Sequence, residues 1–214
     1  MVESYSTVIL ADGEFPAAEK TLNILKAASR IVCCDGAAEK LLQFGLEPDV
    51  IVGDLDSLAF KLKEKYADKI IHISEQESND LTKAFRYCRA QNYEDVVILG
   101  ATGKREDHTL GNLSLLAVYA EELPNIKIIT DYGEFFVAFE GGTFSSEKGE
   151  QISIISLNSN TVISSSENLK YPICNLKLSY WYQATLNEAL GSSFTLNFPP
   201  NNPILIYRGG KKSL

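Results

Sequence analysis

The stretch that decides the fold is Val50-Ile-Val-Gly-Asp-Leu-Asp-Ser57. A β-branched apolar run leads directly into a glycine and two carboxylates, which is typical of a buried strand that ends in a polar loop. Asp54 and Asp56 project to the same side if the loop is extended, because alternate residues of an extended chain share a face. Mg2+ commonly takes one or two carboxylates together with phosphate oxygens, so the loop indicates a magnesium-phosphate site. A solvated acidic turn is the alternative that the same residues allow.

The first part of the chain repeats this alternation of apolar runs and polar loops. We predict strands at residues 6–11, 31–34, 50–52, 70–73, 96–99 and 126–130, and helices at 16–29, 36–44, 58–66, 81–91 and 109–122. Apolar strands separated by helices indicate a parallel sheet that is covered on both faces. Ligands of such sheets bind beyond the carboxyl ends of the strands. We therefore expect Asp35, Asp54, Asp56 and Asp80, which all follow predicted strands, to converge there.

The composition changes near Asp131, and the rest of the chain is rich in Ser, Asn, Thr, Phe and Gly. We predict short strands at residues 135–139, 151–157, 161–165, 175–180, 193–198 and 204–207. Turn-forming pairs such as Gly141-Gly142 separate these strands. The sequence thus predicts an N-terminal parallel-sheet α/β domain at residues 1–131 and an all-β domain, a β-sandwich, at residues 132–214.

The totals exclude several classes of protein. The net charge of -8 over 214 residues argues against general nucleic-acid binding, which needs a basic surface. Residues 1–14 lack the positive region of a signal peptide, and no apolar run reaches the ~18 residues of a membrane span. The four cysteines show no zinc spacing and are expected to be buried free thiols. We expect a cytoplasmic protein with no membrane or nucleic-acid partner.

A basic loop, Gly100-Ala-Thr-Gly-Lys-Arg-Glu-Asp-His108, follows the strand predicted at residues 96–99. Its glycines allow close backbone approach to a ligand, and the amides at the start of the next helix attract anions. Lys104 and Arg105 add charge suited to phosphate, and His108 can donate to a phosphate or stack on a base. No Walker A pattern is present in the sequence. A surface loop with two solvated cations and Asp107 as a helix cap is the alternative.

Two further helix starts carry candidate ligand contacts. Gln76 has both a donor and an acceptor, which suits the edge of a heterocycle. Asp80 lies in a polar run that can equally serve as a helix cap. After the second strand, Asp35 and Gly36 are followed by alanines that leave room for a ligand, and here too a helix cap is the alternative.

Taken together, these segments resemble the thiamine pyrophosphokinase family. The shared motifs are Asp35-Gly-Ala37, Gly53-Asp-Leu-Asp-Ser57, Gln76 with Asp80-Leu-Thr-Lys-Ala84, and the loop 100–108 with Asn112. Their order and spacing agree over roughly the first 130 residues, which chance rarely produces. The chain departs from the family at Asn79, where Thr is usual, at Lys104, where Gly is frequent, and at Gly191-Ser-Ser-Phe194, which lacks the family's Asn. Glu75 and Glu77 stand where Asp is common.

The resemblance implies a function and a set of site residues. The family transfers a diphosphoryl group from ATP to the hydroxyl of thiamine, releases AMP, uses Mg2+ and works as a homodimer. Asp54, Asp56 and Asp80 are expected to be catalytic and to hold Mg2+. The expected ATP-binding residues are Asp35, Gly36, Gly100, Thr102, Gly103, Lys104, Arg105, Asp107 and His108. The expected thiamine-binding residues are Gln76, Ser192 and Ser193. The first domain would then be catalytic and ATP-binding, and the second would bind thiamine and form the dimer.

Two other functions fit parts of the pattern. Asp54 and Asp56 are spaced like the two aspartates of metal-dependent phosphatases, but Leu58 stands where those enzymes require Thr or Val. A phosphatase of that type would form a covalent aspartyl phosphate. A non-catalytic nucleotide- or thiamine-binding module would instead bind without turnover.

Overall fold

The protein divides into two compact units, the first ending at Asp131 and the second beginning at Tyr132. A computed structural model describes residues 4–158 and 160–210. Each unit contains its own cluster of buried apolar residues. Within the described ranges, no helix combines the length and the apolar character that crossing a membrane requires.

The first unit alternates strands and helices. Its strands are β1 (Thr7–Leu10), β2 (Arg30–Cys34), β3 (Val50–Gly53), β4 (Ile70–His72), β5 (Val96–Leu99) and β6 (Lys127–Thr130). Its helices are α1 (Glu19–Ala27), α2 (Ala37–Gln43), α3 (Phe60–Lys65), α4 (Asp80–Ala90) and α5 (Glu106–Glu122), with a short 3-10 helix at Ala67–Lys69. All pairings among these strands are parallel, which confirms the predicted α/β fold.

The strand order of this sheet is β6-β5-β1-β2-β3-β4. The chain builds outward from β1 to β4, then returns to the other side of β1 with β5. The order of strands along the sheet therefore reverses between β1 and β5. Such a reversal point is where open α/β sheets form a ligand crevice.

Helices cover both faces of the sheet, because its strands are apolar on both sides. On one face, Val8 and Leu10 of β1 pack in a cluster with Ile24 of α1 and Leu41 of α2. On the other face, α4 packs over β1, β2 and β3, and α5 contacts α4 and β6. Phe85 of α4 stacks on Tyr119 of α5 at 4.3 Å between ring centroids. Burial on both faces explains the continuous apolar runs of β1 and β5.

The second unit consists of two antiparallel sheets. Its strands are β7 (Gly133–Ala138), β8 (Gly142–Ser145), β9 (Gln151–Ser156), β10 (Val162–Glu167), β11 (Cys174–Lys177), β12 (Ala184–Glu188), β13 (Ser193–Asn197) and β14 (Ile204–Gly209). Within the unit, β12-β9-β14-β7 form one sheet and β11-β10-β13-β8 the other. Ile152 and Ile206 of the first sheet share a core with Ile163 and Phe194 of the second. The predicted β-sandwich is confirmed.

Two strands of the second unit were not predicted. Strand β8 begins at Gly142, which belongs to the predicted turn pair Gly141-Gly142. Strand β12 has a register shift between Ala184 and Asn187, and Leu186 inside it adopts a positive φ of 59°. A bulge of this kind breaks the alternation of buried and exposed residues by which a strand is recognised. The strand predicted at residues 175–180 begins at Cys174 and ends at Lys177.

Two expectations about single segments were wrong. The helix predicted at residues 109–122 begins at Glu106, so Asp107 and His108 belong to its first turn and Arg105 is its N-cap residue. Of the four cysteines expected to be buried, Cys174 is exposed on β11. Strand β11 lies at the end of its sheet, where one edge has no neighbouring strand among the described residues, and an outward side chain there meets solvent.

Candidate active site

A cavity of about 390 Å³ lies in the first unit at the carboxyl edge of its sheet. It is formed by the loops after β1, β3 and β5 and by the first turns of α4 and α5. Its lining includes the predicted site residues Asp54, Gln76, Asp80, Gly103, Lys104, Arg105 and His108. Residues scattered over more than 50 positions of sequence are thus brought into one place, as the parallel-sheet argument predicts.

Three carboxylates form a tight cluster at this edge. Asp35, Asp54 and Asp56 each place one oxygen so that all three atoms lie within 4.8 Å of one another. Asp35 follows β2, whereas Asp54 and Asp56 follow β3, and these strands are neighbours in the sheet. Like charges this close repel one another unless a cation or a proton joins them. The cluster therefore has the donor set and the spacing of a divalent-cation site.

Asp35 is the buried member of the cluster, with 2% of its surface exposed. Its Oδ2 accepts a hydrogen bond from the Ser57 amide at 3.0 Å. Its Oδ1 is buried and has no hydrogen-bond partner in the described part of the chain. Burial, together with the charges of Asp80 and Asp56, raises the pKa of Asp35 to about 6. A buried carboxylate oxygen without a partner is costly unless a ligand satisfies it.

Asp80 is held by a buried ammonium group. The Lys83 Nζ lies 3.1 Å from Asp80 Oδ1 and 3.8 Å from Asp54 Oδ2, and only 2% of the Lys83 side chain is exposed. Gln76 donates to Asp54 Oδ2 at 2.9 Å, and this bond is the main cause that lowers the pKa of Asp54. Asp54 and Asp80 thus share one ammonium, while Asp56 lies in the three-carboxylate cluster with Asp54.

Because Gly53 has no side chain, Asp35 and Asp80 can both lie close to its backbone. A Cβ atom at Gly53 would lie 3.0 Å from the Asp35 Cβ and 3.3 Å from Asp80 Oδ1. Any larger residue would push these two carboxylates apart. Leu55, between the two aspartates of the loop, adopts a positive φ of 69°, and Asp35 one of 37°. Non-glycine residues seldom adopt these angles, and such strained positions concentrate at functional sites.

The loops after β1 and β5 are joined by their backbones. The Gly13 amide donates to the Gly100 carbonyl at 2.7 Å, and the Glu14 amide donates to the Thr102 carbonyl at 2.8 Å. A Cβ atom at Gly13 would lie 2.3 Å from the Gly100 oxygen, so only glycine fits there. Lys104 reaches back across this junction, with its Nζ 2.9 Å from the Asp12 carbonyl and 3.3 Å from Asp12 Oδ1.

Three further residues predicted to bind ATP, Arg105, Asp107 and His108, contact one another. Arg105 makes a two-fold contact with Asp107, with Nε to Oδ1 at 3.0 Å and the terminal nitrogen to Oδ2 at 2.6 Å. This pairing lowers the pKa of Asp107 to about 2. Both side chains are well exposed, so the pair can open for an anion at little cost. Asp107 also accepts from the His108 amide at 2.9 Å.

An amide pair connects the polar run before α4 to the start of α5. Asn79 caps α4 by accepting from the Thr82 amide at 2.9 Å and donates to Asn112 Oδ1 at 3.0 Å. Asn112 in turn donates to the Ala101 carbonyl at 2.8 Å and is 9% exposed. This polar run therefore does cap α4, through Asn79, and the same residue also lines the cavity.

Lys83 and Asp12 line the cavity and Lys40 contacts Asp12, yet the sequence motifs predict no role for any of the three. Lys83 follows Asp80 at the i+3 spacing that places two helical side chains on one face, so its ion pair was open to prediction. Asp12 follows β1 as the other aspartates follow their strands. Lys40 of α2 contacts Asp12 because β1 and β2 are neighbours, and the sequence carries no signal of that pairing.

Ser192 and Ser193 lie in the second unit, and Gln76 lies in the first. Ser193 opens β13 opposite Ser145, and the Ser192 carbonyl accepts from the Ser146 amide at 2.9 Å. Their predicted contact with thiamine remains a prediction.

A family model described as "Thiamin pyrophosphokinase, catalytic domain" matches residues 21–129, which is just over half of the 214 residues. A second, described as "Thiamin pyrophosphokinase, substrate-binding domain", matches residues 133–207. The chain belongs to the thiamine pyrophosphokinase family. It is accordingly an enzyme of this kind, which favours the kinase over the phosphatase and the non-catalytic module.

Relatives of this thiamine pyrophosphokinase come from distant organisms. Thiamin pyrophosphokinase 1 of Caenorhabditis elegans is 29% identical over 190 residues, covering 82% of this chain and 77% of that protein. Thiamine pyrophosphokinase of Bacillus subtilis is 29% identical over 181 residues, covering 80% and 84%. The crystal structure of thiamin pyrophosphokinase from Geobacillus thermodenitrificans is 26% identical, with a TM-score of 0.78 and coverage of 97% and 98%.

Proposed function

We propose that this thiamine pyrophosphokinase binds ATP and Mg2+ in the cavity of the first unit and there transfers a diphosphoryl group to the hydroxyl of thiamine, releasing AMP. The observation that carries the proposal is the cluster of Asp35, Asp54 and Asp56, of which Asp54 lines that cavity. Its buried Asp35 Oδ1 has no hydrogen-bond partner in the described ranges.

The residues of the cluster fit a magnesium ion. All three offer hard carboxylate oxygens within 4.8 Å of one another. Among the described residues, the buried Asp35 Oδ1 has no hydrogen-bond partner, and a bound cation would offset the cost of burying it. We propose Asp35, Asp54 and Asp56 as the ligands, directly or through water. When bound, Mg2+ supplies charge neutralisation to the phosphate chain and to the charge that develops during transfer.

Asp80, which the sequence also predicted as a metal ligand, lies outside the three-oxygen cluster, and we propose that it contacts the ion through water. We call Asp35, Asp54, Asp56 and Asp80 the acidic wall. Lys83 holds Asp80 and Asp54 together through its ammonium, so it fixes the spacing between the β3 loop and the start of α4. We propose that a carboxylate of this wall accepts the proton of the thiamine hydroxyl. The acidic wall also suits the permanent positive charge of the thiazolium ring.

The basic side of the cavity would position the phosphates. Lys104, Arg105 and Gly103 line the same cavity as Asp54 and Asp80. Arginine matches phosphate in a two-fold geometry, so a phosphate can replace Asp107 as the partner of Arg105. Gly36, Gly100, Thr102 and His108 complete the proposed nucleotide contacts. Positioning and electrostatic neutralisation supply most of the acceleration in phosphoryl transfer.

We propose that Gln76 contacts thiamine from the first unit, and that Ser192 and Ser193 contact it from the second unit of the same or of the partner subunit. Gln76 already donates to Asp54, so a substrate held by Gln76 would lie beside the acidic wall. We further propose that the enzyme is a homodimer and cytoplasmic, that the first domain is catalytic, and that the second binds thiamine and forms the dimer. Sedimentation of the purified protein tests the dimer.

The test of function is a discontinuous assay with ATP, Mg2+ and thiamine. We expect equal amounts of AMP and thiamine diphosphate, and no product when a chelator removes the metal. Release of inorganic phosphate from ATP without thiamine, with a phosphorylated aspartate, would indicate the phosphatase. Binding of both substrates without turnover would indicate the non-catalytic module. Either result would overturn the proposal.

A further inference from the structure

Two lysines from different parts of the first unit meet at one carboxylate. Lys40 of α2 places its Nζ 2.5 Å from Asp12 Oδ1, and Lys104 of the loop after β5 places its Nζ 3.3 Å from the same atom. Lys40 also donates to the Gly13 carbonyl at 2.9 Å, and Lys104 to the Asp12 carbonyl at 2.9 Å. We call Lys40, Asp12 and Lys104 the lysine clamp.

The lysine clamp carries an excess of positive charge. Two ammonium groups share one carboxylate, so one positive charge is left without a counterion within the clamp. Burial, together with the like charge of Lys104, lowers the pKa of Lys40. A static ion pair does not require a second lysine at the same oxygen. Such an excess suits an incoming anion that carries more than one negative charge.

Lys104 adopts a backbone conformation that favours glycine. Its φ is 59°, and it directly follows Gly103, whose φ is 78°. A lysine there costs the fold backbone strain that glycine would avoid. The strain is accounted for if the ammonium group has a task of its own.

The clamp lies where a phosphate chain would be held. Asp12, Gly13, Gly103 and Lys104 line the cavity, at the point where the strand order reverses between β1 and β5. Lys40 is not one of the lining residues, but its Nζ contacts two of them, Asp12 and Gly13. The clamp is only partly exposed, at 28% for Lys40, 39% for Asp12 and 48% for Lys104. A partly desolvated pair of cations interacts more strongly with an anion than a fully solvated pair does.

We propose that the lysine clamp is a second phosphate grip of the nucleotide site, in which a phosphoryl group of ATP replaces the Asp12 carboxylate as the acceptor for Lys40 and Lys104. Lys40 thereby becomes a nucleotide-binding residue, and Asp12 a positioning residue that holds both ammonium groups in place before the nucleotide arrives. The inference rests on the proposed function, because it needs ATP in this cavity.

The test is equilibrium binding, measured calorimetrically with MgATP, with inorganic tripolyphosphate and with adenosine, in the absence of thiamine. Two variants remove one ammonium each, Lys40→Gln and Lys104→Gly. The control is Lys26→Gln, which removes an exposed lysine from the last turn of α1, at the opposite edge of the sheet.

We expect each clamp variant to bind MgATP and tripolyphosphate about tenfold more weakly, the effect of losing one charged hydrogen bond. Adenosine binding should not change, and Lys26→Gln should match the unsubstituted protein for all three ligands.

Three outcomes would refute parts of the reasoning in different ways. If both clamp variants bind MgATP and tripolyphosphate like the unsubstituted protein, the clamp is a structural ion pair and the inference is wrong. If adenosine binding falls by the same factor, the lysines shape the cavity and do not contact phosphate, which also overturns it. If the unsubstituted protein binds no MgATP, the proposed function fails and the inference falls with it.

Discussion

Replacing Asp35 by Asn should stabilise the metal-free protein at alkaline pH while removing its metal response. Asp35 is 2% exposed and its pKa is raised from 3.8 to about 6, so the ionised form is costly in the folded state. A rise of roughly 2 pKa units corresponds to about 3 kcal/mol. Asn keeps the shape, keeps an acceptor for the Ser57 amide, and tolerates the positive φ of this position.

The sign of the pH dependence follows from the direction of the shift. Because the folded pKa lies above the unfolded one, the fold binds the proton more tightly, and stability falls as the pH rises from 3.8 towards 6. Above pH 6 the whole penalty of about 3 kcal/mol is present, and at pH 5 about half of it. The advantage of Asp35→Asn should therefore be largest at pH 8 and shrink as the pH falls.

Thermal unfolding followed by circular dichroism, with a chelator present, measures this effect. We expect Asp35→Asn to melt roughly 5–10 °C above the unsubstituted protein at pH 8. Added Mg2+ should raise the melting temperature of the unsubstituted protein and leave that of the variant unchanged. The matched control is Asp95→Asn, since Asp95 also accepts a backbone amide, that of Ser6, but lies just before β5 at the other edge of the sheet.

A variant that melts below the unsubstituted protein at pH 8 without metal would refute the reasoning. Asp35 would then be stabilised by its surroundings as an ion, and its unpartnered oxygen would not call for a cation. An equal response of Asp35→Asn and the unsubstituted protein to Mg2+ would remove Asp35 from the proposed ligand set.

Three further perturbations test other parts of the site and fold. Asp56→Asn should lower turnover at least 100-fold, because a proposed metal ligand is lost. Its melting temperature should not change, because Asp56 is exposed. Full activity of the variant would exclude Asp56 from the site. Asn112→Ala should cost about 1–3 kcal/mol in urea unfolding, because Asn79 and the Ala101 carbonyl lose their partner; a neutral result would mean that water replaces the amide. Under native conditions a maleimide should label Cys174 alone, since Cys33, Cys34 and Cys88 are buried; labelling of a second thiol would contradict that burial.

The sequence predicted the arrangement of the acidic wall because each residue follows an apolar run. Asp35, Asp54 and Asp80 needed only the rule that parallel strands end at one edge, together with the crossover helices between them. The same rule placed the basic loop at that edge. Val96–Leu99 was predicted to the residue because its apolar run is bounded by Asp95 and Gly100.

Other features depend on tertiary contacts that leave no local pattern. Lys40 meets Asp12 only because β2 lies beside β1, and strand order cannot be read from alternating runs. The cluster with the closest oxygens contains Asp35, which was assigned to ATP, and the position of Asp80 is fixed by a buried Lys83. Strand β12 was missed because the bulge at Leu186 interrupts its alternation.

The junction between the loops after β1 and β5 has a consequence for how a nucleotide would enter. Two backbone hydrogen bonds hold Gly13 and Glu14 against Gly100 and Thr102, so this side of the cavity is preorganised before any ligand arrives. Binding there involves little loss of loop entropy, and affinity then rests on the contacts themselves. Variants along this rim should accordingly change how fast nucleotide leaves far more than how fast it arrives.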